Sequence, residues 1–149
     1  MKRFTRMAAG FLLMAAAARA ETRTWVGIGN WSDGANWSGG VVPGATDDVV
    51  FDATSTANAT VDAPFGGSVA SVTVTAGYTG LITQNRDLAV SGAFTLSGGT
   101  WRYTAGTAAE LTVGGSMTVN GVVQCQRSAT TGNGTGRTFT VGGDLTVGA

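Results

Sequence analysis

The sequence contains no histidine, a single cysteine and a single lysine. Without histidine the chain cannot form a Ser-His-Asp or Cys-His catalytic set, and typical zinc sites are excluded as well. Cys125 has no second cysteine for an intrachain disulfide, so packing and backbone hydrogen bonds must stabilise the fold. The alternation of residues 122–126 predicts that Cys125 is a small buried apolar side chain. Carboxylates are the main residue type left for chemistry.

Charge is also scarce, since Asp, Glu, Lys and Arg together make up 12% of the chain. Nine basic residues balance nine acidic ones, but four of the basic residues lie within the first 20, so a chain beginning at Glu21 carries 5 − 9 = −4. The remaining arginines are scattered: Arg23, Arg86, Arg102, Arg127 and Arg137. Nucleic acids and anionic membrane surfaces bind clustered Lys and Arg, so we expect neither as a partner.

Residues 1–20 have the three parts of a secretory signal peptide. A basic start precedes an apolar run over residues 7–18, and small residues stand at Ala18 and Ala20. The apolar run is shorter than the roughly 20 residues that cross a membrane, which argues against membrane insertion. We therefore expect cleavage after Ala20 and export of the chain to the cell surface or the extracellular space.

Three segments in the second half of the chain align without gaps, over residues 88–96, 111–119 and 139–147. Each reads apolar-x-apolar-x-Gly-x-apolar-x-apolar, which predicts two short strands joined by a bend at the glycine. The bends fall at Gly92, Gly115 and Gly143. Large apolar side chains then point to one side of the strands, and Thr, Ser and Ala point to the other.

The offsets between these segments are 23 and 28 residues, which is the length of one turn of a parallel β-helix. Stacked turns place Leu88 over Leu111 over Phe139 and bury a core that no single turn could bury alone. We predict an all-β fold, a right-handed parallel β-helix (β-solenoid) of about four turns over residues 54–149. An antiparallel β-sandwich is the alternative, but it gives no reason for near-identical segments at these offsets.

The segment before the repeats, residues 24–52, is rich in tryptophan. Three tryptophans recur every six residues among turn formers: Trp25, Trp31 and Trp37. Pro43-Gly44 and the acidic pair Asp47-Asp48 follow, ahead of an apolar strand. This segment resembles the opening of large bacterial surface and secreted β-helix proteins, including autotransporter passengers. We expect residues 21–53 to form a Trp-rich N-terminal cap. Proteins that this segment resembles usually run for many more turns, whereas this sequence stops in the middle of a repeat, so we expect it to be the N-terminal fragment of a longer autotransporter-like protein.

The tryptophans have two interpretations. As a cap, Trp25, Trp31 and Trp37 cover the first rung of the solenoid, because large aromatic side chains are usually buried. As a sugar platform, the same rings and Trp101 stack on pyranose rings while neighbouring Asp and Asn side chains accept hydroxyl groups. Stacking requires exposed rings, so the cap is the favoured interpretation.

A second candidate site is a group of acidic residues, Asp47, Asp48 and Asp52, with Asp62 as a further member. Hard oxygen ligands at this density could hold Ca²⁺, as in polysaccharide lyases built on parallel β-helices. The alternative is a solvated turn followed by a strand whose aspartates face water. The alternative is favoured, because a lyase also needs a basic cluster beside the metal and none is visible.

These observations predict a non-catalytic structural or adhesive scaffold of a bacterial cell-surface or secreted protein, with no required cofactor. A carbohydrate-binding or polysaccharide-degrading secreted β-helix protein is the alternative. The open end of the solenoid is expected to bind either the continuation of its own chain or a second copy by self-association. Surface glycans are the other expected partner.

Overall fold

A computed structural model describes residues 19–104, 109–125 and 139–148, so the predicted signal peptide lies almost wholly outside the described residues. Within them the chain forms fifteen short strands and two 3₁₀ turns, Gly34–Asn36 and Ser38–Gly40. In chain order the strands are β1 (Thr22–Thr24), β2 (Gly29–Asn30), β3 (Asp48–Phe51), β4 (Ala59–Val61), β5 (Ser68–Val69), β6 (Ser71–Val74), β7 (Leu81–Gln84), β8 (Leu88–Val90), β9 (Phe94–Leu96), β10 (Thr100–Tyr103), β11 (Leu111–Val113), β12 (Met117–Val119), β13 (Val122–Cys125), β14 (Phe139–Val141) and β15 (Leu145–Val147).

The strands form three sheets, to which successive turns of the chain add one strand each. The first sheet has the order β1-β3-β6-β9-β12-β15, the second β2-β4-β7-β10-β13, and the third β5-β8-β11-β14. All pairings between these strands are parallel. The described chain is therefore a β-solenoid of about four turns, as predicted, and the parallel order rules out the antiparallel sandwich.

The predicted stacking of the repeats is confirmed residue by residue in the third sheet, where Leu111 pairs with Leu88 on one side and with Phe139 on the other. The glycine bends stack as well. A Cβ atom placed on Gly115 would lie 2.7 Å from the carbonyl oxygen of Gly92, inside any normal contact distance. Glycine is required at this bend because successive turns approach backbone to backbone.

The core fills the inside of the solenoid, because alternate strand residues point inward. The first sheet contributes two rows of inward side chains, one above the other along the axis. The first row is Val49, Val72, Phe94, Met117 and Leu145, and the second is Phe51, Val74, Leu96, Val119 and Val147. All of them are buried except Leu145 and Val147, which belong to the last described turn. Among the described residues the core is thus covered at its N-terminal end and exposed at the last turn.

Candidate functional site

The three N-terminal tryptophans lie at the covered end of the solenoid. Trp25 directly follows β1, Trp31 directly follows β2, and Trp37 separates the two 3₁₀ turns. An antiparallel bridge joins Trp25 to Trp37 and brings the chain back across the first rung. All three side chains are at most 1% exposed. The predicted cap is confirmed as a buried aromatic cluster.

Aromatic contacts hold this cluster together. Trp37 meets Trp25 edge-to-face at 5.1 Å between ring centroids and meets Trp31 edge-to-face at 5.3 Å. Phe51 of β3 lies beneath them and stacks against Trp25 at 5.5 Å and against Trp31 at 5.6 Å. Edge-to-face and offset-stacked geometries are the favourable arrangements for aromatic pairs. The cluster therefore packs as a continuation of the core.

The indole N–H groups of the cluster are used unequally. Trp37 Nε1 donates a hydrogen bond to the carbonyl oxygen of Trp31 at 2.8 Å, and Trp25 Nε1 donates to the carbonyl oxygen of Ala57 at 3.2 Å. Trp31 Nε1 is buried and has no acceptor within the described part of the chain. Two of the three rings are therefore fixed by polar contacts as well as by packing.

Trp101, the fourth predicted sugar-binding residue, lies in β10 in the interior of the solenoid. Its ring packs edge-to-face on Phe94 at 5.0 Å and also contacts Trp31 at 6.3 Å. Its Nε1 donates to Gln84 Oε1 at 2.9 Å, and both residues are fully buried. The structure thus brings Trp101 into contact with Trp31 of the cap, but inside the core.

This burial bears directly on the sugar-platform interpretation. A pyranose ring can stack only on an indole face that it can reach, and Trp25, Trp31, Trp37 and Trp101 have essentially no exposed surface. In this structure the four residues therefore do not form a platform. The physical reason is that the apolar area of an indole is the largest of any side chain and is buried where a core has an open rung.

Polar side chains near the cap hold backbone groups in place. Asn36 Oδ1 accepts a hydrogen bond from the backbone N–H of Ile28, and its Nδ2 donates to the carbonyl oxygen of Asn30. Asp33 accepts from the backbone N–H of Ala35 and so caps the first 3₁₀ turn. The amide of Asn36 and the carboxylate of Asp33 thus have structural partners.

The structural roles of two further polar residues are not apparent from the sequence. Asp62, which follows β4, accepts hydrogen bonds from both the backbone N–H and the hydroxyl of Ser32, 30 residues earlier. Gln84 points inward from β7, and its Nε2 donates to the carbonyl oxygens of Arg86 and Glu110. Alternation in β7 is a signal that could have placed Gln84 inside, whereas the partner of Asp62 depends on which turns stack.

The acidic residues proposed for Ca²⁺ point to different partners. Asp47 is buried and accepts hydrogen bonds from the backbone N–H groups of Glu21 and Gly44 at 3.0 and 2.9 Å. The guanidinium of Arg23 lies 3.6 Å from the same carboxylate. Burial alone would raise the pKa of Asp47, but the two backbone hydrogen bonds and the positive charge of Arg23 outweigh it, and the pKa is lowered.

Asp48 and Asp52 are held elsewhere. Asp48 accepts a hydrogen bond from the hydroxyl of Ser71 in the next turn, and Asp52 accepts one from the backbone N–H of Thr54 at 2.8 Å. Hydrogen bonding by Thr54 lowers the pKa of Asp52. Asp48 and Asp52 are four positions apart, which on an extended chain separates their Cα atoms by about 13 Å. That distance is too great for the two carboxylates to share one cation.

The three aspartates are therefore not brought together. Within residues 19–104, 109–125 and 139–148 there is no group of three or more His, Cys, Asp or Glu side chains that could hold a metal ion. Asp47 fastens the entry to β3, Asp48 links two turns, and Asp52 closes the turn after β3. Each carboxylate thus has a structural partner within the chain, and Asp47 is buried rather than facing water as the solvated-turn interpretation expected.

The last described turn of the solenoid also exposes apolar side chains. Leu145 and Val147 in β15 are 59% and 70% exposed, whereas their partners in the preceding turn, Met117 and Val119, are 3% and 9% exposed. Val122 in β13 is also largely exposed. Within the described residues, β13, β14 and β15 form the last strand of each sheet.

Among the described residues no helix is long and apolar enough to span a membrane. Support for a function comes from the side chains and their geometry, because no protein-family model, curated protein or solved structure matches the chain.

Proposed function

We propose that this chain is a non-catalytic structural or adhesive scaffold of an exported bacterial protein, in which residues 21–53 cap the start of a β-solenoid. One observation carries the proposal. The side chains with the greatest potential for binding, the four tryptophans and Asp47, are buried and contact other parts of the same chain. A protein that binds a sugar or a metal through these groups would present them to solvent.

The sequence supports the location of such a scaffold. The basic start, the short apolar run and the small residues before Glu21 are the features that direct bacterial proteins to export. We place the mature chain at the cell surface or in the extracellular space, as part of a longer autotransporter-like protein. Low charge and a regular outer face of Thr and Ser suit a rigid spacer or adhesive surface in this setting.

The export step can be tested by expressing residues 1–149 in a Gram-negative host and fractionating the cells. The expected product lies outside the cytoplasm and has Glu21 as its N-terminal residue by mass spectrometry. A matched control replaces Leu12 and Leu13 with Asp, which breaks the apolar run and should leave the uncleaved chain in the cytoplasm. An uncleaved, cytoplasmic wild-type chain would reject the export proposal.

The non-catalytic role can be tested on the mature chain with a panel of polysaccharides that includes pectin, alginate, chitin and cellulose. We expect no release of reducing ends or unsaturated sugars, and no change in tryptophan fluorescence, because the indole rings are enclosed. Tryptophan fluorescence of the chain unfolded in denaturant, where the indole rings are exposed, is the positive control for a spectral change. Saturable quenching or product release with one polysaccharide would support the carbohydrate-active alternative instead.

A further inference from the structure

We propose that removal of the signal peptide turns Asp47 into the binding site for the new N-terminal ammonium of Glu21, and that this ion pair stabilises the cap. The proposal rests on the export proposed above, because it needs cleavage after Ala20. Hydrolysis of the Ala20–Glu21 peptide bond by a host signal peptidase consumes one water molecule. The hydroxyl group goes to the carbonyl carbon of Ala20 and the hydrogen atom goes to the nitrogen of Glu21. At neutral pH the products are a carboxylate on Ala20 and an ammonium on Glu21.

The nitrogen atom that cleavage releases already lies against Asp47. The backbone N–H of Glu21 donates a hydrogen bond to Asp47 Oδ1 at 3.0 Å. The carbonyl oxygen of Glu21 accepts one from the backbone N–H of Asp48 at 2.9 Å, and the next residue, Thr22, pairs with Asp48 of β3. Both backbone groups of Glu21 are therefore held by the neighbouring turn, and the nitrogen needs no movement to meet the carboxylate.

The start of the fold coincides with the expected cleavage site. Arg19 and Ala20 are exposed and lie outside the strands. Glu21 is the first residue of the described chain whose backbone is hydrogen-bonded to the solenoid. The export signal predicts cleavage at the same bond from the small residues at positions 18 and 20, independently of this geometry. Two separate observations thus support Glu21 as the first residue of the mature chain.

Before cleavage the carboxylate of Asp47 is only partly neutralised. Arg23 Nε lies 3.6 Å from Asp47 Oδ2, beyond hydrogen-bond distance, whereas Arg23 Nη2 lies 3.0 Å from the side-chain carboxylate of Glu21. One guanidinium thus serves two carboxylates, and the three groups together carry 1 − 2 = −1. The new ammonium brings this sum to zero. Because Asp47 is 7% exposed, water and salt screen the ion pair less than one on the surface.

Few other charges lie beside this group. Asp48 is the remaining charged residue of β3, and its carboxylate accepts a hydrogen bond from the hydroxyl of Ser71. The second 3₁₀ turn and β6, which pack on β1 and β3, contain no charged residue. The lowered pKa of Asp47 keeps its carboxylate ionised at any pH above about 4. Asp47 is therefore the partner of the new ammonium.

Acetylation isolates the charge of this ammonium. The only lysine is Lys2, so in residues 21–149 an amine-acetylating reagent modifies the α-amino group alone. Acetylated Glu21 keeps an N–H for Asp47 and has the amide linkage of the precursor, but it lacks the positive charge. For a partly buried ion pair we expect acetylation to lower the folded-to-unfolded ratio in urea about three- to tenfold at about pH 6. The starting chain is made by cleaving a fusion protein so that Glu21 is its first residue.

Two variants show whether Asp47 is the partner. Asp47→Asn keeps an acceptor for the N–H but removes the charge, so acetylation should leave the folded-to-unfolded ratio of this variant unchanged. The matched control is Asp33→Asn, because Asp33 also accepts a backbone N–H in the cap, but that of Ala35. In Asp33→Asn the full effect of acetylation should remain.

The pH dependence of the unmutated chain gives the same information if Asp47→Asn does not fold. The α-amino group ordinarily has a pKa of about 8, and a neighbouring carboxylate raises the pKa in the folded state. The stability that the ammonium contributes is therefore fully present below about pH 8 and is lost as the pH rises through the folded value. The difference between the free and acetylated chains should disappear over that range.

The outcomes separate this proposal from the export proposal. An uncleaved wild-type chain in the fractionation described above would overturn both. An exported chain that begins at a residue other than Glu21 would overturn the ion pair alone. Equal stability of the free and acetylated chains at about pH 6, an undiminished effect of acetylation in Asp47→Asn, or an effect that persists at alkaline pH would do the same.

Discussion

The aromatic cap contains a natural comparison between two equally buried tryptophans. Trp37 donates its indole N–H to the carbonyl oxygen of Trp31, whereas the N–H of Trp31 itself has no acceptor in the described residues. The substitutions Trp37→Phe and Trp31→Phe remove the same atoms from sites that are at most 1% exposed. The cavity term should therefore be similar in the two variants, and the hydrogen bond should make the difference.

The magnitude follows from the cost of burying polar groups. Trp37→Phe loses a hydrogen bond and takes the donor away from a buried carbonyl, whereas Trp31→Phe removes a polar group that had no partner. Leaving a buried polar group unsatisfied costs about 1–3 kcal/mol, so Trp37→Phe should lower the free energy of unfolding by about that much more than Trp31→Phe. Trp25→Phe loses the hydrogen bond to Ala57, so it should lower the free energy of unfolding by an amount closer to that of Trp37→Phe.

Urea unfolding followed by far-ultraviolet circular dichroism measures these differences without relying on the tryptophans that are changed. The slope of unfolding free energy against urea should be the same in all variants, so that the midpoints report stability alone. If Trp31→Phe destabilises the protein as much as or more than Trp37→Phe, the hydrogen-bond account of the cap is refuted.

Three further predictions follow from the packing and the charges of the same solenoid. Gly115→Ala should destabilise the protein by about 1–3 kcal/mol, because its methyl group meets the Gly92 carbonyl, whereas Gly66→Ala, with no atom within 4 Å, should be near neutral in the same urea assay. The lowered pKa of Asp47 gives stability that is present above about pH 4, the unfolded value, and is lost as the pH falls through the folded value. Asp47→Asn should therefore flatten the acid limb of unfolding free energy against pH; an unchanged limb contradicts this. Burial raises the pKa of the Tyr78 phenol, so the stability that the protonated phenol contributes is present below about pH 10 and is lost as the pH rises further. Tyr78→Phe should abolish this loss of unfolding free energy at alkaline pH.

The repeats made much of the fold predictable. Gap-free alignment of three segments was enough to place Leu88, Leu111 and Phe139 in one stack, because equivalent residues of a solenoid occupy equivalent positions. The short strands β2 and β4 have no repeat pattern of their own. They form because neighbouring turns supply pairing partners, which local sequence does not specify.

The candidate sites were less predictable for the same physical reason. Spacing in sequence put Asp47, Asp48 and Asp52 close together, but strand geometry and partners from other turns separate them. The tryptophans were predicted to be a cap from their size. Their packing on Phe51 and the contact of Trp31 with Trp101 depend on the stacking of turns far apart in the chain.

The central claim is that the tryptophan cap buries the first rung of this solenoid, whereas the last described turn is exposed. Hydrogen–deuterium exchange of the dilute mature chain, read by mass spectrometry, measures both ends at once. Peptides covering residues 22–51 should exchange as slowly as those from the middle turns, and peptides covering residues 139–148 should exchange fast. Rapid exchange across residues 22–51, or equal protection of residues 22–51 and 139–148, would contradict the claim.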